Sequence, residues 1–270
     1  MHKRTNHHYT PYLPTISRRR NFLLLFVGRK AMVIIMAHCP KLTPRLQAVA
    51  DMVADCGTLA DIGTDHAYLP VYLLKTGKIQ HAIASDIRKG PVARAQSTIK
   101  RFGESERIET RLGAGMTTLQ AGEADTVVIS GMGGILIANI IQESEALLTE
   151  NTALILQPMT AMRELREYLS ENNFCIAQEV LAKEENKLYH IMKVVRGTEK
   201  ITDLTELYLG KRLLENRPPY FEEYLAGRVH ALRTATNGME HSKSKNVIKK
   251  SEEYRYLLGQ IAMIQKGEDL

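Results

Sequence analysis

From residue 58 onward the chain alternates short apolar runs with longer amphipathic stretches. The runs TLADIG (58–63), HAIASD (81–86), RIETRLG (107–113), DTVVISG (125–131) and TALILQP (152–158) read as strands. Their near-continuous apolar character is that of parallel strands buried on both faces. Between them, helical spacing recurs in AYLPVYLLKTG (67–77), GPVARAQSTIKRFG (90–103), GILIANIIQESEALL (134–148) and AMRELREYLSENN (161–173). Pro70 and Pro91 sit in first turns, and Gly77 and Gly103 follow helix ends, as helix termini favour. A lead-in helix is predicted over 42–53 from Leu46, Val49, Ala50 and Val53. FCIAQEVLAKEE (174–185) and KLYHIMKVVRG (187–197) read as a closing antiparallel pair. Strand–helix alternation with short loops predicts a doubly wound α/β sheet with right-handed crossovers.

Three regions follow. Residues 41–197 form the α/β domain. Residues 198–270 change to a polar, Tyr-rich helical pattern with 12 Lys/Arg against 11 Asp/Glu, divided by Pro218-Pro219. They read as a small helical domain, a hairpin whose second half is too charged to form a core by itself. Residues 1–40 are basic and interrupted, with apolar runs at 21–28 and 31–37 split by Arg29 and Lys30. Each run is far short of the ~20 apolar residues of a membrane span, and no small-x-small cleavage site follows. The expectation is a translation start at Met32 or Met36, preceded by an over-extended reading frame or a disordered tail.

Charge changes this picture little. The formal net charge of +6 comes from seven Lys/Arg and no Asp/Glu within residues 1–40. That leaves 29 basic against 30 acidic residues, a net charge of −1. A balanced body gives no electrostatic argument for nucleic acid. Composition, 44% hydrophobic and 24% charged over 270 residues, excludes disordered and collagen-like classes. Cys39, Cys56 and Cys175 are too widely spaced for a disulfide framework, which fits a reducing cytoplasm. Neither they nor the histidines have metal-ligand spacing, so no metal is expected.

In doubly wound sheets, ligands bind beyond the carboxyl ends of the strands where the strand order reverses. Four loops are therefore candidates. Gly63 allows a tight turn after the first strand. Dinucleotide sites place glycines at the next two alternate positions, here Asp65 and Ala67. A carboxylate at Asp65 repels a pyrophosphate and disfavours NAD, but welcomes a sulfonium and an ammonium, as in S-adenosylmethionine. Asp86, about twenty residues further on, suits a ribose diol. Gly113-Ala114-Gly115-Met116 offers backbone beside an adenine. SGMGG (130–134) opens a helix with free N–H groups beside a reacting centre. Gly63 as a plain turn, Asp65 as a helix N-cap, Asp86 as a cap and His66 as a packed histidine are the simpler readings.

LADIGTDHAYLP, with SD ending the second strand, SGMGG after the fourth and LQP at the fifth, resembles the bacterial tRNA (adenine(22)-N(1))-methyltransferase family. The likeness runs from Lys41 to Gly197 and on into LYLGKRLLENRPPYFEEYL (207–225). It implies a Rossmann-like class I methyltransferase sheet with a small C-terminal helical, coiled-coil-like domain, and tRNA as partner. It implies cofactor contacts at Asp61, Gly63, His66, Asp86, Ile87, Gly113, Gly115, Ser130, Gly131 and Met132. Asp65 is the implied catalytic acid. Tyr68, Gly133, Gly134, Gln157 and Pro158 are the expected substrate contacts. Two positions depart from the family pattern: Ala114 replaces Asn or Asp, and Met159 replaces Asn.

Neutral adenine N1 carries no proton, so its methylation needs alignment rather than a base. Asp65 would accept a hydrogen bond from the exocyclic amine and stabilise the cationic product ring. The base must first leave its stack, and Tyr68 could receive it. Basic spots at Arg88, Lys89, Arg94, Lys100 and Arg101, and at Lys243, Lys245, Lys249 and Lys250, are candidate phosphate contacts, or simply solvated helix faces. The alternatives are a class I methyltransferase for another RNA or a small molecule, and an inactive tRNA-binding module.

Overall fold

The computed structural model of the protein describes residues 39–239 and 244–267. The extension expected over residues 1–40 lies outside them except for Cys39 and Pro40, as does Lys243. Helix α1 (Pro44–Met52) starts where Thr43 accepts the Leu46 N–H at 3.4 Å and Pro44 occupies the first turn. Then follow β1 (Cys56–Ile62), α2 (Tyr68–Lys75), β2 (Ile79–Asp86), α3 (Lys89–Phe102), β3 (Ile108–Leu112), β4 (Thr126–Met132), α4 (Gly134–Glu143), β5 (Ala153–Pro158), α5 (Met162–Glu171), β6 (Phe174–Glu184) and β7 (Lys187–Arg196).

The seven strands lie in the order β3-β2-β1-β4-β5-β7-β6. The first five are parallel, and β7 is antiparallel to both β5 and β6. The order reverses at β1, which is flanked by β2 and β4. Apolar runs on these strands are continuous because alternate side chains feed two cores. On one face Ala60, Ile62, Val127, Ile129, Leu154 and Leu156 pack under α4 and α5. On the other Leu59, Ala82, Ala84, Val128 and Ile155 pack under α1, α2 and α3. Helix α4 is shorter than its apolar pattern predicts. At Ser144 the backbone leaves helical geometry (φ −128°, ψ 19°), and a separate 3-10 turn covers Glu145–Leu147.

The C-terminal region forms α6 (Leu204–Leu209), α7 (Lys211–Asn216), α8 (Phe221–Met239) and α9 (Lys245–Lys266). Leu257, Ile261 and Ile264 make a buried stripe on α9. They share a third core with Leu209, Leu213, Phe221, Leu225 and Leu232, and with Leu181 of β6. A buried polar cluster joins these helices to the sheet. The Arg166 guanidinium is fully enclosed and lies 3.0 Å from a Glu179 carboxylate oxygen. It also donates to the carbonyls of Leu207 and Leu209. Burial pushes His190 down toward its neutral form. In that form its Nε2, 3.0 Å from Glu179, donates while Nδ1 accepts from Arg166. Gly210, at φ +105°, passes so close that a Cβ would lie 2.6 Å from both Arg166 and Glu179.

Candidate active site

Two cavities of about 370 and 360 Å3 adjoin along the carboxyl ends of β4, β1, β2 and β3. Gly63, Asp86, Arg88 and Met132 line both, so the two form one continuous cleft. It lies at the reversal of strand order, where such sheets hold their ligands.

The turn after β1 sets the cleft's floor. The N–H groups of Gly63 and Thr64 both donate to the Ser85 carbonyl, at 2.8 and 2.9 Å, which folds the chain over the end of β2. Gly63 has φ +79°, and a Cβ there would lie 2.4 Å from Met132 Cε. Asp65 and Ala67 also have positive φ, +40° and +54°. The backbone thus takes left-handed geometry at 63, 65 and 67, although two of these residues carry side chains. Each such residue costs about 1 kcal/mol or more, a strain typical of functional turns.

Asp65 is more than half exposed at the first cavity. One carboxylate oxygen accepts from Arg94 of α3, and the other lies 3.6 Å from His66 Nε2. The Arg94 hydrogen bond holds this carboxyl below the usual carboxylate range. Asp65 does not cap α2: the capping residue is Ala67, which makes no side-chain cap bond. His66 and Tyr68 stack with ring centroids 5.5 Å apart and planes at 13°.

Asp61 and Asp86 are buried at the strand ends. Asp61 accepts from Thr64 Oγ1 at 2.7 Å. Burial, with a smaller contribution from Asp86, pushes its carboxyl up to about 6. Asp86 accepts the Arg88 N–H at 2.8 Å, and its carbonyl accepts the Gly113 N–H at 3.1 Å. The second cavity is more apolar. Ile87 and Leu136, 66% and 52% exposed, line it with Ile140 and the 113–117 backbone. Gly113 and Gly115 keep the backbone clear there: a Cβ would meet Thr118 Cγ2 at 2.5 Å and Ile140 Cγ2 at 3.1 Å.

Asp61, Gly63, Asp65, His66, Tyr68, Asp86, Ser130, Gly131 and Met132 thus line the first cavity, and Gly63, Asp86, Ile87, Gly113, Gly115 and Met132 the second. Gly133, Gly134, Gln157 and Pro158 do not line either cavity; they support the cleft from behind. The Gly131 N–H donates to Gln157 Oε1 at 3.1 Å, and the Gly134 N–H to the Thr160 carbonyl at 2.8 Å. These two N–H groups are therefore engaged rather than free for a ligand. At Gly134 a Cβ would lie 2.2 Å from the Ala161 carbonyl oxygen, so this glycine lets α4 start directly against the loop leaving β5.

Arg45 was not legible as a site residue. From the first turn of α1 it reaches the cleft, donating to Gln157 Oε1 at 2.9 Å and Ser130 Oγ at 3.1 Å. Its guanidinium also sits over the Tyr189 ring. Its contacts lie 85 and 112 residues away in sequence, which no local pattern reveals. Arg94, a candidate phosphate contact or solvated helix residue, pairs with Asp65 while remaining about half exposed.

A family model described as a methyltransferase domain matches residues 42–192. The tRNA (adenine(22)-N(1))-methyltransferase of Bacillus subtilis is 38% identical over 157 residues. That match covers 58% of this chain and 66% of the relative, just under two thirds of its length. The solved structure of the B. subtilis tRNA methyltransferase TrmK aligns with a TM-score of 0.76 and 29% identity, covering 83% of this chain and 98% of that one. The chain belongs to the tRNA (adenine(22)-N(1))-methyltransferase family. A Streptococcus pneumoniae protein described as a putative tRNA (m1A22) methyltransferase, solved in complex with S-adenosyl-L-methionine, aligns with a TM-score of 0.72 and 30% identity over 81% of this chain and all of that one. The Rossmann-like methyltransferase sheet with added C-terminal helices is therefore as expected. The two positions expected to depart from the family pattern, Ala114 and Met159, both lie near the cleft. Ala114 lines the second cavity. Met159 is exposed, and its sulfur faces Gln157 Nε2 at 3.4 Å.

Proposed function

We propose that this protein transfers a methyl group from S-adenosyl-L-methionine to N1 of adenine 22 in the D arm of tRNA, in the cytoplasm. No helix among the described residues is long and apolar enough to cross a membrane. The observation that carries the reading is the composition of the cleft. A half with exposed Ile87 and Leu136 over glycine backbone continues into a half holding Asp61, Asp65 and Arg45. An apolar heterocycle and a zwitterionic tail carrying an extra positive charge match these halves. Ser85 is among the residues of the apolar half, and its buried Oγ has no hydrogen-bond partner there.

When bound, S-adenosyl-L-methionine would supply a methyl group on a sulfonium, whose C–S bond breaks as the adenine N1 lone pair bonds the methyl carbon, leaving a neutral thioether. Asp86 would hold its ribose diol, Gly113 and Gly115 would let its adenine approach the backbone, and Asp61 and Arg45 would pair with its ammonium and carboxylate. Asp65 faces the target base. Held ionised by Arg94, it accepts from the exocyclic amine and offsets positive charge as it develops on the ring. The neighbouring Arg94 fixes the carboxylate's direction in advance. His66 and Tyr68 present a stacked aromatic surface to a base turned out of the helix.

The test is nucleoside analysis of tRNA incubated with the protein and S-adenosyl-L-methionine. 1-Methyladenosine is expected at position 22. Methylation confined to another RNA or a small molecule, or no methylation despite cofactor binding, would replace this reading with a different methyltransferase or an inactive tRNA-binding module.

A further inference from the structure

A third cavity, about 420 Å3, lies where the loop leaving β5 meets the C-terminal helices. Met159, Thr160, Tyr208, Arg228, Lys250 and Tyr254 line it. The methyl-transfer chemistry above uses none of them. Three observations bear on its use.

The first is charge. Arg163 also lines the cavity but is neutralised by Glu167 and Glu253. Among the described residues Arg228 and Lys250 have no carboxylate within 4.0 Å. Arg228 lies over the Tyr224 ring at 4.9 Å and reaches Met162 Sδ at 3.7 Å. Lys250 is exposed and lies over the Tyr254 ring at 5.7 Å. Glu164, exposed, is the opposing charge in the lining. Two cations thus line a shared space together with the Tyr208 and Tyr254 side chains.

The second is surface chemistry. Tyr208 and Tyr254 are half-buried, and Met159 is 44% exposed. Aromatic faces beside cations that no carboxylate neutralises suit an unstacked nucleotide, with base on ring and phosphate on cation. The third is position. The Met159 N–H donates to the Met132 carbonyl at 2.8 Å, and Met132 lines the donor cleft. The Gly134 N–H donates to the Thr160 carbonyl of the same loop at 2.8 Å. The cavity therefore starts one residue beyond the cleft wall, on a loop whose position is fixed.

We infer that this cavity is a second RNA subsite, which takes a nucleotide neighbouring the target adenosine, its phosphate on Arg228 and Lys250 and its base on Tyr254. The inference rests on the tRNA-methylating reading and deepens it. A base presented at N1 must leave its stack, which also frees a neighbour to be gripped. Gripping that neighbour aligns the target without adding contacts to the reacting atoms.

The probe is unmodified tRNA transcript carrying adenine 22, with the full chain. Lys250→Gln is expected to weaken tRNA binding several-fold and to reduce the slope of log affinity against log salt by about 1. Tyr254→Ala is expected to weaken it roughly tenfold. Affinity for S-adenosyl-L-methionine and the melting temperature of Lys250→Gln stay at wild-type values. Arg228→Gln repeats the salt effect; because Arg228 also packs on Tyr224, the exposed Lys250 carries the test if that variant folds poorly. Unchanged tRNA affinity in Lys250→Gln and Tyr254→Ala overturns the subsite. So does an equal loss in Lys249→Gln, which lies outside the cavity and would report a diffuse field. A wild-type protein that forms no 1-methyladenosine rejects the underlying reading instead.

Discussion

Gly63 and Gly77 have nearly the same backbone conformation, φ +79° and +76°, but different surroundings. At Gly77 an added methyl meets nothing within 4 Å, whereas at Gly63 it would lie 2.4 Å from Met132 Cε. Alanine in left-handed geometry costs about 1–2 kcal/mol. Its smaller unfolded-state entropy returns about 0.4–1 kcal/mol. Both Gly63→Ala and Gly77→Ala should therefore lose about 1 kcal/mol, or about 2–4 °C in melting temperature for a chain of this size. Carbon atoms settle about 3.5–4.0 Å apart, so in Gly63→Ala the Met132 terminus must move by more than 1 Å. Met132 is flexible and the stability cost of moving it is small, but it lines both halves of the donor cleft. Gly63→Ala should thus lose at least tenfold in affinity for S-adenosyl-L-methionine, about 1.4 kcal/mol, while Gly77→Ala loses none. Titration calorimetry and thermal melts on the two variants read both quantities. Adding Met132→Ala to Gly63→Ala should restore much of the binding. Equal cofactor affinity in the two single variants would refute the claim that Gly63 is kept for clearance rather than for its turn.

Asp65→Ala should bind cofactor within twofold of wild type yet lose about a hundredfold or more in turnover on tRNA; turnover near wild type in single-turnover assays removes Asp65 from the chemistry. Asp61 has its carboxyl raised to about 6 in the folded protein. Its neutral form therefore favours the fold at low pH, and that contribution disappears as pH rises through about 6. The melting temperature of wild type relative to Asp61→Asn should fall between about pH 4 and 6, and a flat difference contradicts the burial argument. Affinity for the cationic cofactor should fall below pH 6 in wild type, and Asp61→Asn should lose that dependence, as calorimetry across pH 5–8 would show. Glu179→Gln leaves Arg166 enclosed without a counter-charge and should cost about 3–5 kcal/mol in denaturant unfolding; a loss under 1 kcal/mol means the cluster is not what pins the C-terminal helices.

The periodicities of this sequence determined its class of fold. Apolar runs such as VVIS and ALIL can be satisfied in water only by covering both faces, and glycine or proline marked where each run stopped. The same patterns located the four loops of the cleft, because strand ends are visible in sequence and the reversal of strand order follows from the fold class. What the sequence could not determine was side-chain direction and long-range pairing. SGMGG looked like a row of free N–H donors. Only packing showed that Gly131 is bonded to Gln157 and that Gly134 is a clearance for the Ala161 carbonyl. Asp65 and Ala67 occupy positions that dinucleotide sites give to glycine, but only the structure showed that they keep left-handed φ values despite their side chains. Arg45 reaches Ser130, 85 residues away, and the cavity beside Tyr254 joins the loop leaving β5 to three separate C-terminal helices. Local propensity reaches only a few residues along the chain, so contacts of this kind exist only once the sheet has assembled and the helices have docked.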